Sequence, residues 1–283
     1  MAQDVEQKLA ELRRIIRATG GALIAFSGGV DSTLVAAVAS QELGDRALAV
    51  TAASEMYPGF MIEDATKLAS SLGLRHEVIE TSELAIECFS ANPPDRCYFC
   101  KKELFGRLQA MAQLKGLQAV MDGANADDPR DHRPGLRAAA ELGVISPLRD
   151  AGIGKEMVRA ISQSLGLPTW SKPSFACFAS RFPYGFAITA QRVEQVRRAE
   201  EVLRGLGLTQ YRVRHHDTIA RIEALADDIA KIAASEVRSK LVAEFKRIGF
   251  TYVTLDLQGF RSGSMNETLS KAEARDKPRR RKS

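Results

Sequence analysis

Ala22-Leu23-Ile24-Ala25-Phe26-Ser27-Gly28-Gly29-Val30-Asp31-Ser32-Thr33 reads as an apolar run, a paired-glycine turn and the head of a helical stretch that continues through Leu43. Paired glycines let backbone N–H groups turn inward, and the helix that follows adds its positive end. Together they make an anion cradle of phosphate size. Gly28 and Gly29 form the turn, Ser27, Ser32 and Thr33 offer hydroxyl donors, and Asp31 can hold magnesium beside the phosphates. No Gly-Lys-Ser/Thr follows at the required spacing, so this is not a Walker loop. The third glycine of the dinucleotide fingerprint is missing as well. A bare turn is the other reading, and the strand before and helix after weigh against it.

Working outward, the strand–turn–helix pattern repeats. A helix over residues 4–18 precedes the loop, since Val5, Leu9, Leu12, Ile15 and Ile16 share one face. Ala47 to Ala52 reads as strand, Gly59 to Leu72 as helix, His76 to Ile79 as strand, Lys101 to Leu114 as helix, and Ala119 to Asp122 as strand. Gly135 to Leu142 and Lys155 to Leu165 are helical, the latter followed by a loop from Pro168 to Pro173. Alternation of this kind predicts an α/β fold with a parallel sheet and ligands at the carboxyl ends of its strands. Beyond Thr189 the texture changes to a helix Gln191–Leu206, strands Tyr211–His215 and Ala220–Ile222, a helix Ile229–Ile248 and a strand Tyr252–Leu257. The expected domains are residues 1–185, a smaller α+β module over 186–270, and a basic disordered tail over 271–283.

The chain has 283 residues, 45% hydrophobic and 27% charged, the balance of a soluble globular protein. No apolar run is long enough to span a bilayer. The charged N-terminal stretch lacks a signal-peptide core, so the expected location is the cytoplasm. The formal net charge of +5 sits in the tail: Arg275, Lys277, Arg279, Arg280, Arg281 and Lys282 face only Asp276, and the rest is neutral. A neutral body argues against nucleic acid as a partner.

Four cysteines are present: Cys88, Cys97, Cys100 and Cys177. Without a secretory signal they read as thiols, metal ligands or catalysts rather than disulfides. Cys97-Tyr98-Phe99-Cys100 alone is a weak signal, open to a metal, half a zinc site or a redox pair. Cys177 adds one thiolate, and three cysteines suit an iron–sulfur cluster with one iron left open. Cys88, in the apolar Ala85-Ile86-Glu87-Cys88-Phe89, reads as a packing residue.

The string Ser27 to Ser32 resembles the PP-loop of the ATP pyrophosphatase superfamily. Cys97 to Phe105, Asp122-Gly123-Ala124-Asn125-Ala126-Asp127-Asp128, Pro173 to Cys177, Ser180-Arg181 and Gly259 to Glu267 resemble the LarE family. The resemblance covers residues 27–267. It implies an enzyme that uses ATP and magnesium to adenylate the carboxylates of pyridinium-3,5-biscarboxylate mononucleotide and convert them to thiocarboxylates, a step in building a nickel-pincer nucleotide cofactor. It also implies a homo-oligomer and a sulfide donor that the sequence does not identify. One version of the family spends a single cysteine, at the position of Cys177, as the sulfur source. The other holds a 4Fe-4S cluster on three cysteines, and Cys97, Cys100 and Cys177 match that version.

Further roles follow from the resemblance. Arg181 is a candidate for a substrate carboxylate or developing negative charge, against the plain reading of a surface arginine. Arg212 and Arg214 alternate along a strand and share one face, either to bind the substrate's phosphate or as a solvated face. Glu201, Glu223 and Asp228 lie where the family places acidic residues near a metal, with Glu200 and Asp227 equally placed. Gly123 lets adenosine approach the strand end, Asn125 can contact substrate, and Pro129 closes that segment. Three rivals remain: a tRNA-thiolating enzyme, an amidating synthetase that leaves the cysteines unused, and a nucleotide-binding regulator without catalysis.

Overall fold

A computed structural model describes residues 2–128, 134–261, 263–264 and 267. Pro129 and the basic tail lie outside them. The chain divides into two units, one of residues 1–82 and 97–175, the other of residues 83–96 and 176–283.

In the first unit the amphipathic pattern at the N-terminus forms α1 (Ala2–Arg17). It is followed by β1 (Ala22–Ala25), α2 (Val30–Leu43), β2 (Ala47–Ala53), α3 (Gly59–Ser71) and β3 (His76–Glu80). After the excursion into the second unit, which includes α4 (Glu87–Ser90), come α5 (Arg96–Leu114), β4 (Ala119–Met121), α6 (Pro134–Glu141), α7 (Pro147–Asp150) and α8 (Lys155–Ser164). The strands form one parallel sheet in the order β3-β2-β1-β4. Its period-two alternation divides the core cleanly. Ala22, Ile24, Ala47 and Ala49 face a cluster covered by Leu12 and Ile16 of α1, Leu34, Val35 and Val38 of α2, and Val158 and Ile161 of α8. Leu23, Leu48 and Val50 face the other way, onto Phe105 and Leu108 of α5 and Ala139 of α6. A sheet covered on both faces leaves its strand ends for ligands, and β1 delivers the glycine turn there.

Besides α4, the second unit holds α9 (Ala190–Gly205), β5 (Tyr211–His216), β6 (Ile219–Ala224), α10 (Ala226–Ala233), α11 (Ser235–Ile248) and β7 (Tyr252–Leu255). Its sheet runs β5-β6-β7, with β5 antiparallel and β7 parallel to β6. Ala199 and Leu203 of α9, Val213, Ile222 and Phe245 close the core. The earlier segment is tied in by the buried Asn92, whose Nδ2 donates to the carbonyls of Pro183 at 2.7 Å and Phe186 at 3.0 Å.

The fold is α/β, a parallel PP-loop-type sheet with a C-terminal mixed-sheet region, as the alternation predicts. Two differences in detail are informative. The expected single helix Ile229–Ile248 is two, because Ala234 adopts an extended conformation (φ −57°, ψ 139°) that breaks the hydrogen-bond ladder. The helix expected from Lys101 begins instead at Arg96, directly after Pro93-Pro94-Asp95, so both cysteines of the pair lie in its first turns.

Candidate functional site

In the first unit the glycine turn is held from within. Gly28 sits at φ +66°, and a Cβ there would meet Ala65 at 3.2 Å. Ser27 Oγ and Ser32 Oγ lie 3.1 Å apart, and the amide of Ser27 donates to Ser32 Oγ at 3.2 Å. Gly29 precedes α2 with no side-chain cap, so no side-chain oxygen of its own competes for the helix end. Thr33 is fully buried, and its Oγ1 has no hydrogen-bond partner among the described residues. This is a loop whose backbone is shaped for an anion.

Asp31 follows in the first turn of α2, with its carboxylate engaged at both oxygens. Asn125 Nδ2 donates to Oδ1 at 3.1 Å, and Lys155 Nζ makes a close ion pair with Oδ2. The segment after β4 is equally determined. Asp122 Oδ1 accepts from the amide of Ala124 at 3.1 Å, and Asn125 Oδ1 accepts from the amide of Asp127 at 3.0 Å. Asp127 Oδ2 in turn accepts from the amide of Lys155 at 2.7 Å. A Cβ on Gly123 would stand 2.9 Å from the amide nitrogen of Ser32, so only glycine lets this segment touch the head of α2. Ser27, Gly28, Gly29, Asp31, Ser32, Gly123 and Asn125 are thus gathered at one place. Lys155 and Lys172 join them without having been foreseen: Lys172 Nζ donates to Gly28 O at 3.0 Å. A lysine distant in sequence carries no local signal of this.

None of the four cysteines is in a disulfide. Cys97 and Cys100 lie one turn apart at the start of α5, the first exposed and the second half-buried. That turn is pinned by α6: Tyr98 Oη donates to Glu141 at 2.6 Å, Arg137 stacks 4.3 Å from the Tyr98 ring, and a Cβ on Gly135 would meet Lys101 at 2.9 Å. Cys88, expected to pack, is exposed; the neighbouring Phe89 takes the buried position.

In the second unit Cys177 is half-buried and precedes the short turn Phe178–Arg181. Arg181 shapes this turn from underneath. Its side chain is wholly buried, and Nη1 donates to the carbonyls of Ala176 at 2.6 Å and Cys177 at 3.1 Å. Its Nε and Nη2 grip Glu200 at 2.8 and 2.9 Å, and Glu200 also accepts from the amide of Val213. Arg212 and Arg214 both lie in β5 and are buried, rather than on a solvated face. Arg214 donates to Glu223 at 2.7 Å, to Ser264 at 2.8 Å and to Ser180 O at 2.5 Å. Arg212 lies 5.0 Å over Phe260. Burial, and next the like charge of Arg181, pushes Arg212 down to about 10, which leaves it protonated at neutral pH.

The acidic candidates diverge. Glu223, fully buried, is shared by Arg214, Arg221 and Ser264. Glu201 faces outward and pairs with Arg197 at 2.5 Å. Asp228 lies in the first turn of α10. Among the described residues no three His, Cys, Asp or Glu side chains are gathered as a metal-holding group. Nor is any helix among them long and apolar enough to cross a membrane.

Residues 5–116 match the NAD synthase family model. The pyridinium-3,5-bisthiocarboxylic acid mononucleotide synthase of Lactiplantibacillus plantarum is 41% identical over 266 residues, covering 94% of each chain. An uncharacterized protein of Synechocystis is 48% identical over 267 residues, 94% of this chain and 100% of its own. The argininosuccinate synthase of Haloarcula marismortui is 26% identical over 160 residues, 53% of this chain and 38% of its own.

Proposed function

The chain belongs to the LarE-like family of PP-loop ATP pyrophosphatases, and from that premise we propose that it is an ATP-dependent sulfurtransferase. Its substrate on this reading is pyridinium-3,5-biscarboxylate mononucleotide, whose carboxylates it adenylates and converts to thiocarboxylates for a nickel-pincer cofactor. The observation that carries the reading is the 41% identity, over 94% of both chains, to a synthase of the bisthiocarboxylic acid mononucleotide. The anion-shaped loop supports it independently.

A carboxylate resists nucleophiles because of its charge and its poor leaving group. Its oxygen attacks the α-phosphorus of ATP, the bond to the bridging oxygen breaks, and pyrophosphate departs with the electron pair, leaving an acyl-adenylate. The backbone of Gly28 and Gly29 and the head of α2 receive the phosphates, and Ser27 and Ser32 add hydroxyl donors. Magnesium fits at Asp31, a hard oxygen ligand, because that ion takes one or two carboxylates together with phosphate oxygens. Bound there, it supplies positive charge to the departing pyrophosphate. On this reading Gly123 lets adenosine approach the strand end and Asn125 contacts the substrate. Arg212 and Arg214 hold the substrate's phosphate, and Arg181 fixes the turn that presents Cys177. Glu201, Glu223 and Asp228 take no step in this account.

For sulfur, the family resemblance assigns Cys97, Cys100 and Cys177 as the soft donor set of a 4Fe-4S cluster, and none of the three is in a disulfide. Such a cluster supplies sulfide in place of a protein sulfur. The second reading, in which Cys177 gives its own sulfur, is favoured by the way Arg181 holds the backbone of Cys177. One anaerobic turnover with ATP, magnesium and the biscarboxylate nucleotide tests both. An unchanged polypeptide with thiocarboxylate formed supports the cluster, and loss of hydrogen sulfide from Cys177 supports sacrifice. Absence of both product and pyrophosphate refutes the function.

A further inference from the structure

The anion loop carries no cation of its own: between Ser27 and Thr33 there is no lysine or arginine. The negative charges along a triphosphate cannot be met by backbone dipoles and one metal ion alone without further positive charge. The first unit brings that charge from α8. Lys155, the first residue of this helix, pairs with Asp31 Oδ2, its side chain 34% exposed. Arg159, one turn later, donates to the carbonyls of Trp170 at 2.5 Å and Lys172 at 3.1 Å. Those two bonds hold the loop after α8 so that Lys172 Nζ reaches Gly28 O at 3.0 Å. One helix therefore sets two ammonium groups at two ends of the same loop, one beside its carboxylate and one on its glycine.

We propose that Lys155 and Lys172 are the cationic contacts for the β- and γ-phosphates of ATP and for the pyrophosphate that leaves, with Arg159 as the residue that positions Lys172. This rests on the ATP-using reading of the same site. Lys155 holds the place at Asp31 that a metal would take. Its ion pair with a partly exposed carboxylate is weak enough to exchange. When a metal takes Asp31, the ammonium group is freed to follow the phosphates, and Lys172 exchanges a carbonyl for a phosphate oxygen. The lysines bind the part of ATP that departs, so they are absent from contacts with AMP.

The test is calorimetric binding of pyrophosphate, ATP and AMP, each with magnesium, to the full-length chain and to Lys155→Met, Lys172→Met, Lys155→Arg and Arg159→Gln. The expected result is that each methionine variant loses at least tenfold in affinity for pyrophosphate and for ATP while its AMP affinity stays within twofold. Lys155→Arg retains most of the pyrophosphate affinity, because the charge is kept. Arg159→Gln reproduces the Lys172→Met loss in a weaker form. Equal losses for AMP and pyrophosphate, or none, overturn the assignment to the lysines while leaving ATP use intact. If the unaltered chain binds neither ATP nor pyrophosphate, the assignment and the ATP-using reading both fail. Should a methionine variant misfold, the arginine variant decides: a pyrophosphate affinity that falls only as far as AMP binding does refutes the phosphate role.

Discussion

Replacing Glu200 by glutamine removes one charge and almost no volume, and the structure fixes what that costs. Arg181 has no exposed side-chain surface and Glu200 only 6%. Two charge-assisted hydrogen bonds, at 2.8 and 2.9 Å, join them, and the same carboxylate accepts from the amide of Val213 at 3.0 Å. Glutamine can replace one acceptor but not the charge, so Arg181 is left as a buried cation without this counter-ion. Removing one partner of a buried pair costs about 3–5 kcal/mol, which is roughly two to four orders of magnitude in the folding equilibrium. Urea unfolding followed by far-ultraviolet circular dichroism should show the stability of the second unit fall by that amount. Replacing both partners with apolar residues, as in Arg181→Met with Glu200→Leu, should cost less than Glu200→Gln alone, because no unpaired charge remains. A loss below about 1 kcal/mol for Glu200→Gln, a value ordinary for an exposed pair, would refute the claim that this pair clamps the Cys177 turn.

Gly123→Ala puts a Cβ 2.9 Å from the backbone nitrogen of Ser32, a separation at which the backbone has to shift. Overpacking of about 1–3 kcal/mol should displace the head of α2 and lower ATP affinity at least tenfold by calorimetry. An unchanged affinity would show that this contact does not shape the loop. Burial, and next the charge of Arg192, pushes His215 down to about 4. The unfolded chain takes up that proton near its ordinary pKa of about 6.5. Stability is therefore whole above that pH and falls as pH drops toward 4. His215→Phe, in a pocket with Phe182, Phe186 and Phe250, should flatten the slope of unfolding free energy across that window; an unaltered slope would contradict it. Cys88→Ser, at an exposed position, should leave stability within about 0.5 kcal/mol, and a larger loss would restore it as a packing residue.

What was legible from sequence was local. Ser27 to Thr33 spells a turn with a mechanism, because glycine, hydroxyl and carboxylate are adjacent in the chain. The alternation around Ala22 and Ala47 gives both the parallel sheet and its two core faces. Legibility ends where the partners are far apart. Asn125 and Lys155 meet Asp31 across 94 and 124 residues, and Asn92 binds the carbonyls of Pro183 and Phe186. No periodicity encodes such pairs. Ala234 breaks a helix without glycine or proline, since tertiary packing of α10 and α11 outweighs alanine's preference for helix. Cys88 is exposed and its neighbour Phe89 buried, because an apolar neighbourhood names the face that is buried only when the element's rotation is known. Arg181 reads from sequence as a candidate for a substrate carboxylate, with a surface arginine as the alternative, and only its burial against Glu200 reveals it as a support of the cysteine turn.

The most direct test of the central claim is a single anaerobic turnover in which pyrophosphate, AMP and the nucleotide product are quantified together. Pyrophosphate should appear only when the biscarboxylate nucleotide is present, in step with AMP and with a product in which sulfur has replaced a carboxylate oxygen. ATP cleavage that is indifferent to the biscarboxylate nucleotide, or a product that contains no sulfur, would contradict it.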